Sequence, residues 1–240
     1  LRISDAVHGQ SVRYNLYVAQ QVAASFEQEL LANLQRAVGP AEIAARNGQG
    51  REEIMAALAA GTGEFAAPLF VPLDDLSGFD LLLVEHQPLV YARGTGPHAS
   101  HWFSGLLLRD PDGQVLGAGG WWLDPGGFLT AHLRPVFEER LPQDARMYGG
   151  IESTRGLSVQ LSGPDGWRMM LGRDPGYSRT AYAEPLTGPF AGYTVRVAAT
   201  SNAAVVWADR FVTLLLLFIA LKGVVLIGAT FIGLRYTVRQ

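Results

Sequence analysis

The segment GLLLRDPDGQVLGAGGWWL, residues 105–123, determines the predicted fold. Two apolar runs, 105–109 and 114–123, flank a DPDG connector at 110–113. Proline presets the backbone angle that a turn needs and glycine tolerates positive φ, so such a connector between apolar runs is typical of a hairpin. The segment therefore predicts two antiparallel strands, the second of which ends in a pair of tryptophans.

Further strands are predicted on both sides of this hairpin. Ahead of it, the apolar runs 79–84 and 89–93 are joined by a short polar connector that contains a proline. After it, the runs 157–161 and 167–171 flank the sequence SGPDG, which carries the same turn chemistry. A last strand is predicted at 193–199. The sequence thus indicates several antiparallel strands.

Helices are predicted before and between these strands. Residues 10–38 predict one long helix, because apolar side chains recur about every 3.5 residues along them. That period suits packing along a second helix and equally suits an amphipathic helix on its own domain, and both interpretations stay open. A Gly-Pro pair at 39–40 is predicted to stop or kink this helix. A short helix is predicted at 51–60, and a third at 124–141, in which Pro135 should introduce a kink or begin a further helix.

The most apolar segment lies near the C-terminus, where residues 211–234 read FVTLLLLFIALKGVVLIGATFIGL. A helix of this length spans about 36 Å, which exceeds a hydrocarbon core of about 30 Å. Lys222 at its centre costs about 2.5–3.5 kcal/mol on insertion, and the many large apolar side chains around it outweigh that cost. The segment therefore predicts one transmembrane helix.

The charge distribution predicts how this helix would be oriented. The net charge of −3 is uneven, since residues 201–240 are basic and residues 1–200 are acidic. The positive-inside rule then places the C-terminus in the cytoplasm and residues 1–200 outside, at the inner membrane, with membrane lipid as a partner. An acidic body argues against a nucleic-acid partner.

Three residues of the same segment are candidates for transmembrane signalling. Lys222 is interpreted either as a tolerated charge or as a polar contact across a homodimer. Ala229 and Gly233 form a small-xxx-small pair that permits close approach of two helices.

The element order resembles the PAS-like Cache fold of bacterial extracytoplasmic sensor domains. The segment EPLTGPFAGYTVRVAA, 184–199, looks like the closing segment of such domains, and LRYTVRQ, 234–240, is similar to the stretch after the last membrane helix of sensor histidine kinases. The expected class is α+β: a PAS-like antiparallel sheet with a long N-terminal helix, then the transmembrane helix. The expected division is a helical region at 1–78, a sensor domain at 79–200, and the membrane helix with a cytoplasmic stub at 201–240.

The resemblance also implies a function and a ligand site. The implied function is the signal-sensing input domain of a two-component sensor histidine kinase, whose catalytic part lies outside these residues. In PAS-like sensors the ligand pocket lies between the sheet and the helical insert, which here selects Trp121 and Trp122 before the insert and Tyr148 and Arg155 after it. Because neighbouring strand residues point to opposite faces, only one tryptophan can line the pocket. An aromatic wall with one guanidinium suits a carboxylate-bearing metabolite, while a core tryptophan and a solvated arginine remain the alternative.

No catalytic residue, metal site or cofactor is predicted. Nucleophile-elbow, phosphate-loop and zinc-helix motifs are absent from the sequence, and the chain has no cysteine. His98 and His101 are interpreted as residues of a solvated loop. Two alternatives stay open: a non-catalytic membrane-anchored assembly subunit that binds a periplasmic partner protein, and an anchored enzyme whose site is assembled from distant residues.

Overall fold

The computed structural model describes residues 2–61, 65, 67–140, 157–172, 181–199 and 203–237. Four α-helices lie in these ranges: α1 (Arg2–Arg46), α2 (Arg51–Ala60), α3 (Pro125–Pro135) and α4 (Ala203–Thr237). A single π-helical turn, Val136–Arg140, follows α3. The predicted kink at Pro135 therefore coincides with a change of helix type, as expected where proline removes a backbone N–H donor.

Nine strands form two antiparallel sheets within the described ranges. The first sheet has the order β1-β5-β4-β3-β2 and consists of β1 (Pro68–Pro72), β2 (Asp80–Val84), β3 (Gln87–Arg93), β4 (Trp102–Arg109) and β5 (Val115–Leu123). The second has the order β7-β6-β9-β8 and consists of β6 (Leu157–Ser162), β7 (Arg168–Leu171), β8 (Tyr182–Pro185) and β9 (Thr194–Ala199). The seven strands expected from hairpin chemistry all form, and they are divided between two sheets where one was expected.

Strands β1 and β8 were not expected from the sequence. Both are short, and a proline lies at one or both of their ends. Proline is tolerated in edge strands, and both strands lie at the edge of a sheet. Pairing with long neighbours, β5 and β9, explains why these weak segments become strands.

Helix α1 lies against both sheets and forms the centre of the hydrophobic core. It contacts β4 and β5 of the first sheet and β8 and β9 of the second, as well as α2. Its apolar face is almost fully buried, through Val18, Val22, Phe26, Leu30 and Leu34. The open question about α1 is thereby answered for this face, since the helix packs on its own chain.

The long helix α1 does not end at the Gly-Pro pair. It continues through Pro40 to Arg46, although proline lacks the donor for one helical hydrogen bond. Ala41, Ala44 and Ala45 in this extension are buried in the core. Their burial, together with the packing of α2 against α1, offsets the cost of the interruption.

The last helix requires a correction of the predicted fold class and location. Within the described part of the chain, no helix combines the length and apolarity needed to cross a membrane. This finding contradicts the transmembrane helix predicted at 211–234 and the inner-membrane location, and both are withdrawn. The α+β class, the antiparallel pairing and the long N-terminal helix are confirmed.

The predicted boundaries at 78 and 200 stay a prediction. Strand β1 precedes the first boundary and pairs with β5 beyond it, so the helical N-terminal region and the first sheet share one packing unit.

Candidate functional site

The two neighbouring tryptophans at the end of β5 face opposite sides of the first sheet. Trp121 is fully buried on the side that faces α1, which we call the inner face. Trp122 is half-buried on the outer face, where its ring stacks on His98 at a centroid distance of 4.6 Å and an interplanar angle of 3°. Only Trp121 therefore points toward the core between the sheet and the helices.

Trp121 belongs to a row of side chains that crosses the inner face. Strand register pairs Asp80 with Tyr91, Tyr91 with Ser104, and Ser104 with Trp121. Directly paired residues of antiparallel strands point to the same face, so these four side chains lie side by side. We call them the inner row. At about 4.8 Å per strand, the row extends over about 14 Å.

Two adjacent members of the inner row carry buried polar atoms without partners. The Ser104 hydroxyl and the Trp121 indole N–H are fully buried, and neither forms a hydrogen bond within the described structure. Leaving a buried donor unpaired costs about 1–3 kcal/mol. Such atoms are the points where a bound molecule or an ordered water supplies the missing partner.

Aromatic rings surround the same row. Phe65 stacks on Trp121, with ring centroids 5.4 Å apart and an interplanar angle of 21°. Trp102 lies beside Tyr91, with ring centroids 5.9 Å apart. Polar atoms bordered by aromatic rings are typical of small-molecule sites, in which a few polar groups orient a mostly apolar contact surface.

The opposite end of the inner row is electronegative. Burial, with smaller contributions from the negative charges of Asp80 and Glu27, raises the pKa of the Tyr91 phenol above its ordinary value. Glu27 reaches this region from α1 and accepts a hydrogen bond from the Thr187 hydroxyl at 2.5 Å. The row therefore presents donors at its Trp121 end and carboxylates near its Asp80 end.

The remaining residues predicted from the sequence are only partly placed. Tyr148 and Arg155 lie outside the described residues, so their grouping with the tryptophans stays a prediction.

The residues predicted to take part in transmembrane signalling all belong to α4. Ala229 and Gly233 lie in α4 beyond its described side chains. Lys222 also lies in α4, and its Nζ atom is 5.2 Å from the centroid of the Phe218 ring. At that distance the ammonium group makes a cation–π contact within its own helix.

The sequence analysis did not predict the other three members of the inner row, Asp80, Tyr91 and Ser104, as site residues. Ser104 gave a signal, since it is a single hydroxyl within the strand WFSGLLLR. Tyr91 and Asp80 gave none, because their approach to Trp121 depends on pairing across four strands.

The histidines of the loop before β4 lie on the outer face. The imidazole rings of His98 and His101 contact each other edge to face, with centroids 5.9 Å apart. The His101 ring also lies within hydrogen-bond distance, 3.1 Å, of the Ser100 hydroxyl. Among the described residues, no three histidine or carboxylate side chains are grouped so that they could hold a metal ion.

Comparison with known proteins finds only weak structural similarity. No family model matches the chain, and no curated protein sequence matches it. Among solved structures, an extracellular ligand binding receptor from Desulfohalobium retbaense DSM5692 is similar at 13% identity and a TM-score of 0.39. The match covers 73% of this chain and 39% of that structure, so the chain spans about two fifths of its length.

Proposed function

We propose that this chain is a ligand-sensing domain that binds a small molecule at the Trp121 end of the inner row. The observation that carries the proposal is the pair of buried, unpartnered donors on Ser104 and Trp121. Natural proteins seldom leave two adjacent buried donors unsatisfied, and a ligand that accepts from both removes this cost.

The donors define the chemistry of the ligand. An indole N–H can only donate, and a serine hydroxyl donates readily to a stronger acceptor. The group bound here is therefore an acceptor, such as a carbonyl or carboxylate oxygen. The aromatic rings of Phe65 and Trp121 suit an adjacent apolar part of the same molecule.

The position of Trp121 also suggests how binding would be transmitted. Strand β5 ends two residues later, and Asp124 then caps α3 by accepting a hydrogen bond from the Gly126 N–H at 3.1 Å. Helix α3 packs on α1, where His132 Nδ1 lies 3.8 Å from Glu29 Oε1. A shift of β5 on binding would thus move α3 against α1, which itself contacts α4.

The sequence resemblance makes a histidine kinase the proposed output and a homodimer the proposed working form. Support for both comes only from the tail segment 234–240 and the element order. The coding sequence downstream of Gln240 provides the test. A phosphoacceptor helix followed by an ATP-binding domain supports the kinase. A stop codon shortly after Gln240, or a different domain there, contradicts it.

The binding proposal is tested by thermal unfolding in the presence of a panel of small carboxylates and neutral amides. At least one compound is expected to raise the unfolding temperature, because a molecule that binds only the folded state stabilises it. Ser104→Ala and Trp121→Phe should each abolish that increase. Trp122→Phe is the matched control on the outer face and should retain it.

Two outcomes would contradict binding at the inner row. One is a ligand whose stabilising effect is the same in Ser104→Ala and in the unmodified chain. The other is a loss of the effect in Trp122→Phe with no loss in Trp121→Phe, which would place the site on the outer face.

A second candidate function, a protein-binding module, is favoured by strand β2. This strand lies at the edge of the first sheet, and its Leu81 and Leu83 side chains are 64% and 73% exposed. An apolar edge without lysine or proline can accept an extended segment of a partner protein as an added strand. A photo-crosslinker at position 83 should then join one continuous extended segment of one protein. Crosslinks scattered over unrelated proteins would exclude this candidate.

A further inference from the structure

We propose that a second site, separate from the inner row, binds a small carboxylate with an apolar body. The site is a cleft of about 160 Å³ between α1 and the neighbouring strands β3 and β4. We call it the hairpin cleft and define it by Gln35 and Glu42 of α1, Gln87 and Pro88 of β3, and Leu106 and Arg109 of β4. It shares no residue with the inner row, so it is independent of the function proposed above.

The size of the hairpin cleft limits the ligand. A cavity of about 150 Å³ is known to admit one benzene molecule. The hairpin cleft has a similar volume, about 160 Å³, but is open to solvent on one side, so a ligand of about one six-membered ring would be only partly enclosed. Val38 of α1 and Leu106, whose side chain points to the inner face under α1, contribute its apolar side-chain surface.

Arg109 provides the charge that would bind a carboxylate. One of its N–H groups, on Nη1, donates to the Gly113 carbonyl oxygen at 2.8 Å, which fixes the guanidinium group. A guanidinium group has five N–H donors, so the others remain for a ligand and can form a paired contact with a carboxylate. Within the described structure Arg109 has no ion pair with an acidic side chain.

The acidic residue of the hairpin cleft is already neutralised. Glu42 Oε1 accepts from Arg46 Nη2 at 2.5 Å, one helical turn along α1. The two charges offset each other, so among the residues that line the cleft the Arg109 guanidinium is the charge left for a ligand, while the carboxylates of Asp110 and Asp112 belong to the adjacent turn. A carboxylate is therefore favoured over an ammonium group.

Two amide side chains complete the polar rim. Gln35 Nε2 donates to Gln87 Oε1 at 2.7 Å and thereby joins α1 to β3. The Gln87 Nε2 group keeps its donors for a bound oxygen. A ligand held by both Arg109 and Gln87 would strengthen an existing link between the helix and the sheet.

The turn that presents Gln87 is strained. Glu85 and His86 form the two-residue turn between β2 and β3, with φ values of 48° and 67°. Turns with positive φ at both positions normally use Asn-Gly or Gly-Gly, because other side chains meet steric strain there. Strain of this kind is often found where a structure holds a binding group in position. Here it holds Gln87 and Pro88 at the edge of the hairpin cleft.

The test uses benzoate as the probe and the whole chain as the sample. Saturation-transfer NMR should detect benzoate binding, and a titration should give its dissociation constant. Arg109→Gln should weaken binding at least about tenfold, since it removes the charged hydrogen bonds. Benzamide, which has the same shape without the charge, should bind the unmodified chain at least about tenfold more weakly. Arg93→Gln, a surface arginine of the same sheet outside the hairpin cleft, is the matched control and should bind benzoate normally.

Several results would overturn this proposal. Equal affinity of the unmodified chain for benzoate and benzamide would show that charge plays no part, and this comparison needs no variant to fold. Unchanged benzoate binding in Arg109→Gln would exclude Arg109. Loss of benzoate binding in Ser104→Ala would assign the probe to the inner row. Retained benzoate binding in Ser104→Ala supports a separate site, and it does so even if the sensing function proposed for the inner row is wrong.

Discussion

The two faces of the five-stranded sheet are built from the same strands but are covered by different elements. The inner face lies under α1 and joins the main core, with Leu89, Leu108 and Trp121 fully buried. The outer face has a small cluster of its own around Val90 and Phe103, covered by a short helical turn in place of a long helix. Neighbouring residues of one strand thus differ in burial because of what covers each face.

The largest expected effect is on the tryptophan pair. Trp121→Ala should lower the free energy of unfolding by about 3–5 kcal/mol, as for other large aromatic side chains removed from a core. Trp122→Ala should cost about 1–2 kcal/mol, because Trp122 is only half-buried and contacts mainly His98 and Phe103. Urea unfolding measures both. Equal losses would mean that the two faces are packed equally well.

The neighbouring glycines of β5 extend the same comparison. A Cβ atom on Gly120, toward the outer face, would lie 2.2 Å from the Ser104 carbonyl oxygen, which is backbone and cannot move aside. A Cβ atom on Gly119, toward the inner face, would meet side-chain methyl groups of Leu108 and Leu58, at 2.9 and 3.2 Å. Gly120→Ala should therefore cost about 3 kcal/mol and Gly119→Ala about 1 kcal/mol in urea unfolding. The reverse order would show that the side chains around Gly119 on the inner face accommodate an added methyl group less well than the backbone around Gly120.

Removing an unpartnered polar atom from the inner face should have a smaller effect of opposite sign. Without ligand, Ser104→Ala should leave the free energy of unfolding unchanged or raise it by up to about 1 kcal/mol, because the lost hydroxyl has no partner. Thermal and urea unfolding measure the change. A loss above about 1.5 kcal/mol would show that the hydroxyl is hydrogen-bonded in solution.

The smallest expected effect is a pH dependence at the inner row. Burial, then the charges of Asp80 and Glu27, raises the pKa of Tyr91 above its ordinary value of 10.0. Below that value the phenol is neutral in both states. As the pH rises above it, the unfolded chain loses the proton first, so the folded state is destabilised.

Urea unfolding at pH 9 and at a pH above 10 measures this dependence. Tyr91→Phe should show a smaller loss of stability across the interval than the unmodified chain. Tyr17→Phe, a change on an exposed side chain of α1, is the control and should show the full loss. An identical loss in both variants would mean that Tyr91 titrates normally.

Local sequence patterns predicted much of the fold. The DPDG connector predicted the β4–β5 hairpin, and the helix predicted from residue 124 corresponds to α3, which begins at Pro125. A stop or a kink was predicted at Pro40, and the helix does not stop there because the residues after it are buried, which could not be read from the sequence. Strands β1 and β8 were missed because a short segment with proline becomes a strand only through its partner.

The candidate site was less predictable than the fold. Trp121 was named from its place before the helical insert, and alternation alone predicted that only one tryptophan would face inward. Ser104 joins it only because β4 and β5 pair in one particular register. The hairpin cleft depends on residues of α1, β3 and β4 that are far apart in sequence.

The sequence by itself determined the positions of the turns, the period of the helices and the alternation of the strands, because these follow from the backbone preferences and spacing of nearby residues. Only the tertiary structure decided which face α1 covers, that the strands divide into two sheets, and which polar atoms are buried without partners. Those properties depend on contacts between distant segments, whose free energies no local pattern contains.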